Sequence, residues 1–81
     1  MTKIHTFIIE SDGTKHELLL DGESVATFST LDAAEAEANR IANYATPGSS
    51  LRFELDLKST MIDLEIRGAT LEVDVPAGVE V

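Results

Sequence analysis

The sequence predicts an α+β fold: a mainly antiparallel sheet in the order β-β-β-α-β-β-β, with one helix packed on one face. Three observations carry that expectation. Two Asp-Gly pairs punctuate the first third of the chain, the hydrophobic period changes to that of a helix at Leu31, and apolar residues alternate with polar ones over Leu51–Leu57, Ile62–Ile66 and Leu71–Val75.

The segment from Lys3 to Glu10 holds Ile4, Phe7, Ile8 and Ile9 and reads as a strand that ends at Ser11-Asp12-Gly13-Thr14. With Asp12-Gly13 as a two-residue turn, Glu10 faces Lys15, Ile9 faces His16, Ile8 faces Glu17 and Phe7 faces Leu18. Phe7, Ile9, Leu18 and Leu20 then share the face expected to be core, and Ile4, Ile8 and Leu19 fall on the other. A third strand, Val25-Ala26-Thr27-Phe28, follows a turn centred on Asp21-Gly22 or Gly22-Glu23.

From Leu31 the apolar residues Leu31, Ala34, Ala38, Ile41, Ala42 and Ala45 form one helical stripe. Ser29 or Thr30 is placed to cap the free amides of the first turn, Asp32 and Glu35 complement the positive end, and Thr46-Pro47-Gly48 stops the helix. The small alanine stripe suits close approach to a sheet. Tyr44, on the last turn, is expected to pack with its hydroxyl at the solvent boundary.

Beyond the helix, Leu51, Phe53, Leu55 and Leu57 alternate with charged residues, as do Ile62, Leu64 and Ile66, and then Leu71, Val73 and Val75. Closing hairpins at Lys58-Ser59-Thr60-Met61 and at Gly68-Ala69 stacks these apolar residues in rows on one face. The opposite face then carries Glu54, Glu65 and Glu72 in one row, Asp56, Asp63 and Asp74 in the next, and Arg52 beside Arg67 at the edge. Like charges on directly opposed strand positions are destabilising, so this grid of carboxylates is the feature that asks for a purpose.

Composition bounds what that purpose can be. The chain, residues 1–81, is long enough for a single small acidic domain with one hydrophobic core. Its 15 acidic and 6 basic residues give a net charge of -9, which opposes direct binding of nucleic acid or of anionic membranes. The absence of cysteine removes disulfides, thiolate metal sites and thiol nucleophiles. With no apolar run near membrane-spanning length and no apolar leader at Met1-Thr2-Lys3-Ile4-His5, the expected location is the cytoplasm.

No pattern of catalytic residues, metal ligands or phosphate-binding glycines is present, so neither an enzymatic activity nor a cofactor is expected. His16 reads as a strand residue on a partly covered face, and His5 has no nucleophile at a recognisable spacing. Clustered carboxylates suit calcium or magnesium, but the flat grid lacks loop carbonyls and the Asp-x-Asp-x-Asp-Gly pattern, leaving weak divalent-cation binding as a third-ranked reading. The first reading is an acidic protein–protein interaction module whose Glu54, Asp56, Asp63, Glu65, Glu72 and Asp74 meet a basic partner and relieve their mutual repulsion. In size and charge the chain resembles anti-CRISPR and anti-restriction inhibitors, which implies a viral nucleic-acid mimic directed at a basic host nucleic-acid-binding protein. The alternative is a structural or salt-adapted housekeeping domain whose acidic face serves solubility. Ile4, Ile8 and Leu19, on a face that one helix cannot cover, are expected to mediate self-association as a homodimer.

Overall fold

The computed structural model describes residues 2–56 and 65–74. The described elements are β1 (Thr2–Ser11), β2 (His16–Leu20), β3 (Glu23–Phe28), α1 (Leu31–Ala45), β4 (Glu54–Asp56) and β5 (Glu65–Asp74). They build an antiparallel sheet in the order β3-β2-β1-β5-β4, with α1 packed across β1, β2 and β3. The fold class is therefore the α+β arrangement that the pattern implies. The long strand β1 lies at the centre and is paired along both edges.

The first hairpin keeps the expected faces but not the expected register. Phe7 pairs with Leu20, Ile8 with Leu19, Ile9 with Leu18, Glu10 with Glu17 and Ser11 with His16, which leaves a four-residue loop, Asp12 to Lys15. The Asp12 carboxylate accepts the backbone N–H groups of Thr14 at 3.0 Å and Lys15 at 2.8 Å, organising a loop wider than a two-residue turn. Because the slip is two residues, each side chain stays on its expected face. At the second turn, Asp21 and Gly22 occupy the centre with φ of 52° and 87°, the doubly left-handed geometry favoured in tight hairpins. A register shift after Leu18 sets Val25 outside the regular pairing, and its side chain is exposed.

Thr30 caps α1, its hydroxyl accepting the Ala33 N–H at 3.2 Å. Ala34, Ala38 and Ala42 are fully buried against Phe7, Ile9 and Leu18, with Leu31 and Ile41 flanking them. Ala45 and Tyr44 are exceptions to the sequence reading: both are exposed, Tyr44 at 88%. The helix stops at Thr46, as expected from Pro47, and the Gly48 N–H is held by the Asn43 side chain at 2.7 Å.

The largest departure lies in the C-terminal half. Gly68-Ala69 is not a turn: β5 runs unbroken through it and pairs with β1 over the full length from Thr2 opposite Asp74 to Ser11 opposite Glu65. A hairpin there would leave one edge of the central strand without hydrogen-bond partners, a cost that a continuous ladder avoids. Ala69 sits opposite the buried Phe7, so a small residue lies where the large ring needs room. The hairpin expected at residues 58–61 falls outside the described residues. Nevertheless, the pairing of β4 with β5 is fixed: Glu54 opposes Gly68, Leu55 opposes Arg67 and Asp56 opposes Ile66.

Candidate interaction face

Among the described residues, the sheet has one face under α1 and one that carries no helix. Directly opposed residues in antiparallel strands share a face, so the pairings assign each side chain. Across the helix-free face, Ser24, Leu19, Ile8, Gly68 and Glu54 form one row over all five described strands. Thr27, Glu17, Glu10 and Ile66 form the next, with Asp56 at the register position beside Ile66. Beyond Gly68, β5 continues with Thr70 opposite Thr6, Glu72 opposite Ile4 and Asp74 opposite Thr2.

This pairing dissolves the expected carboxylate grid. The register of β4 against β5 differs by three residues from the one that stacks Leu55 on Leu64, and an odd slip turns one strand over relative to its neighbour. Glu54 therefore faces Gly68 instead of Glu65, and Asp56 lies opposite Ile66 instead of Asp63, which itself falls outside the described residues. Glu65 lies opposite Ser11 on the side of the helix. Glu72 does share the face of Glu54, but four residues farther along β5 than Gly68, about 13 Å away. Asp74 pairs with Thr2 and accepts its hydroxyl at 3.2 Å. Arg52 and Arg67 do not pair at an edge either. Arg67 points to the helix side and meets Glu35 at 3.4 Å.

Sequence reasoning missed the acidic row that does form. Glu10 and Glu17 are directly opposed and both half-buried, and Glu17 accepts the Ser24 hydroxyl at 2.8 Å. The signal was present in the hairpin, since a loop of four residues in place of two brings these glutamates together.

By contrast, Ile4, Ile8 and Leu19 do lie on the helix-free face. Ile8 and Leu19 are direct partners, and Ile4 is 58% exposed. Ile66 joins them, because the phase of apolar alternation changes at Gly68-Ala69 and puts Ile66 on the side opposite Leu71 and Val73. Beside Ile8 and Ile66 the surface sinks into an open groove of about 750 Å³, lined also by Thr6, Thr70, Arg52 and Glu54. Gly68 forms part of its floor. The groove wall is positioned by Asn39, whose side-chain oxygen accepts the Leu51 N–H at 2.6 Å and pins the chain leading into β4. The face thus combines an apolar centre with glutamates at Glu10, Glu17, Glu54 and Glu72.

The ion pairs among the described residues, His5–Asp21, Glu37–Arg40 and Glu35–Arg67, include none of those glutamates. A hydrogen bond from His5, at 2.8 Å, and another from the Thr6 N–H hold the Asp21 carboxyl below its ordinary range. Asp12 is lowered by the loop amides of Lys15 and Thr14, and Glu37 by Arg40. Asp12 and Glu37 are loop and helix devices outside the groove lining, whereas Asp21 is tied to the backbone of Thr6, which lines it. Ser11 and His16 share a 2.6 Å hydrogen bond on the helix side, but Ser11 is 4% exposed and lines no part of the groove, so the contact satisfies a buried hydroxyl.

No group of three or more potential ligands able to hold a metal ion occurs among the described residues, and no described helix is long and apolar enough to cross a membrane. The chain matches no protein-family model, and neither a curated protein nor a solved structure is significantly similar to it. What defines the molecule is its α+β class and the acid-rimmed, helix-free sheet face.

Proposed function

We propose that this protein is an acidic interaction module that binds a basic protein, in the manner of a nucleic-acid-mimicking inhibitor of a nucleic-acid-binding partner. The observation that carries the reading is the helix-free face, where Glu10, Glu17, Glu54 and Glu72 surround Ile8, Leu19 and Ile66. An apolar centre within a charged rim has the anatomy of a protein interface, and a rim in which glutamates outnumber the cations Arg52 and Lys15 favours partners of the opposite charge. The net charge of -9 adds long-range attraction to such a partner and repels nucleic acid itself.

A second reading, acidity for solubility or adaptation to salt, is favoured by the spread of Asp12, Asp21, Asp32 and Glu65 over loops, helix and the opposite face. Capture of binding proteins on the immobilised chain, followed by elution with duplex DNA, separates the two. Retention of basic nucleic-acid-binding proteins that duplex DNA displaces supports mimicry. Retention of nothing at low salt, or of proteins indifferent to polyanions, refutes it. The free protein itself should show no shift of duplex DNA or RNA at physiological salt.

A further inference from the structure

We infer that the groove beside Gly68 receives an apolar side chain from a basic protein segment, so that a leucine-sized anchor flanked by lysines or arginines is what this protein recognises. The inference rests on the proposed function and adds the surface and the partner's chemistry.

The geometry is that of a seat. Ile8 and Ile66 provide apolar flanks and Gly68 a floor with no side chain, while Thr6 and Thr70 continue the floor along the strands. A Cβ placed on Gly68 would meet, within 4 Å, only the Phe7 carbonyl oxygen at 3.8 Å, so the space above the glycine is open among the described residues. An apolar side chain set there removes the exposed surface of Ile8 and Ile66 from water, the main source of affinity at an interface centre.

Charge decides which partner brings that side chain. Arg52 and Glu54 both line the groove, but Glu10 opposite Ile66 and Glu72 two residues beyond Thr70 leave carboxylates in excess along the path of a segment that crosses it. Lysine or arginine beside the anchor complements them. A second copy of this chain would instead bring the same excess of carboxylates, Glu10, Glu17, Glu54 and Glu72 against Arg52 and Lys15, and a net like charge at an interface opposes association. The apolar patch of Ile4, Ile8 and Leu19 and the acidic partner surface are thus one surface, better matched to a basic segment than to a twin.

The test uses the full chain labelled with nitrogen-15 and two amidated lysine-rich peptides, one with a central leucine and one with serine in its place. At low salt the leucine peptide should bind about tenfold more tightly, the return expected from partial burial of one such side chain. Its amide shifts should centre on Thr6, Ile8, Gly68 and Thr70. Gly68→Val fills the floor with a residue that strands favour, and should bring the leucine peptide's affinity down to that of the serine peptide, with circular dichroism verifying the fold. Equal affinities of the two peptides, or leucine-dependent shifts elsewhere, overturn this inference while preserving the acidic-module reading. Failure of both peptides to bind overturns both. A concentration-dependent dimer that Gly68→Val dissociates, seen by sedimentation of the free protein, would give the groove to a second copy and likewise overturn the inference.

Discussion

Replacing Glu10 with Gln should stabilise the protein, although Glu10 belongs to the central strand and is half-buried. Its direct partner across β1 and β2 is Glu17, and the Cβ atoms of such pairs lie about 4.5 to 5.5 Å apart. Two unit charges about 6 Å apart repel by about 0.7 kcal/mol at the dielectric constant of water, within the range of about 0.2 to 1 kcal/mol typical of cross-strand pairs. Glutamine keeps the shape and removes the charge. A gain of about 0.5 kcal/mol in a domain of this size raises Tm by about 2 to 4 °C. Since the term is electrostatic and partly exposed, it should shrink when the salt is raised from about 0.01 M to 1 M, where the screening length falls from about 30 Å to 3 Å. Thermal unfolding of wild type and Glu10→Gln at both salt concentrations measures this directly. Glu65→Gln serves as the comparison, because Glu65 is exposed and lies opposite Ser11 instead of in a row of glutamates. A larger stabilisation from Glu65→Gln than from Glu10→Gln, or a Glu10→Gln gain indifferent to salt, would refute the assigned pairing.

Three other outcomes test the core, the helix and the turn. Leu18→Ala empties a fully buried position beneath the alanine stripe and should cost about 2 to 5 kcal/mol, read as a lower urea midpoint. Thr30→Ala removes the acceptor for the Ala33 N–H and should cost about 1 kcal/mol in the same titration, whereas Thr30→Ser should retain most of it. Asp21→Asn tests pH dependence. Because the folded carboxyl is held below its ordinary range by His5 and the Thr6 amide, its contribution is present above the unfolded pKa and is lost as pH falls through the folded one. Asparagine tolerates the positive φ and should flatten the acid limb of a stability–pH profile below the ordinary carboxylate range.

The legible parts of the fold were those written in local chemistry. Both Asp-Gly pairs lie in turns or loops, Thr30 caps the helix, and Ala34, Ala38 and Ala42 face the core. Of the candidate interface, Ile4, Ile8 and Leu19 could be placed together because their face survives a two-residue slip of the hairpin. The carboxylate arrangement could not. Gly68-Ala69 resembles a turn at the point where apolar alternation changes phase, but it lacks the Asp-Gly or Asn-Gly chemistry of the strongest hairpin turns. A glycine inside a strand pattern equally marks an open or closely approached backbone position.

By itself, then, the sequence determined an acidic α+β domain with a defined helix and N-terminal hairpin faces, because caps, turns and periodicity act over a few residues. Only the tertiary structure decided that β5 spans the whole of β1, and with that pairing the destination of each C-terminal carboxylate. The physical reason is parity. An odd shift between strands moves every side chain to the other face, and which shift prevails is set by the need of a distant central strand to pair its second edge.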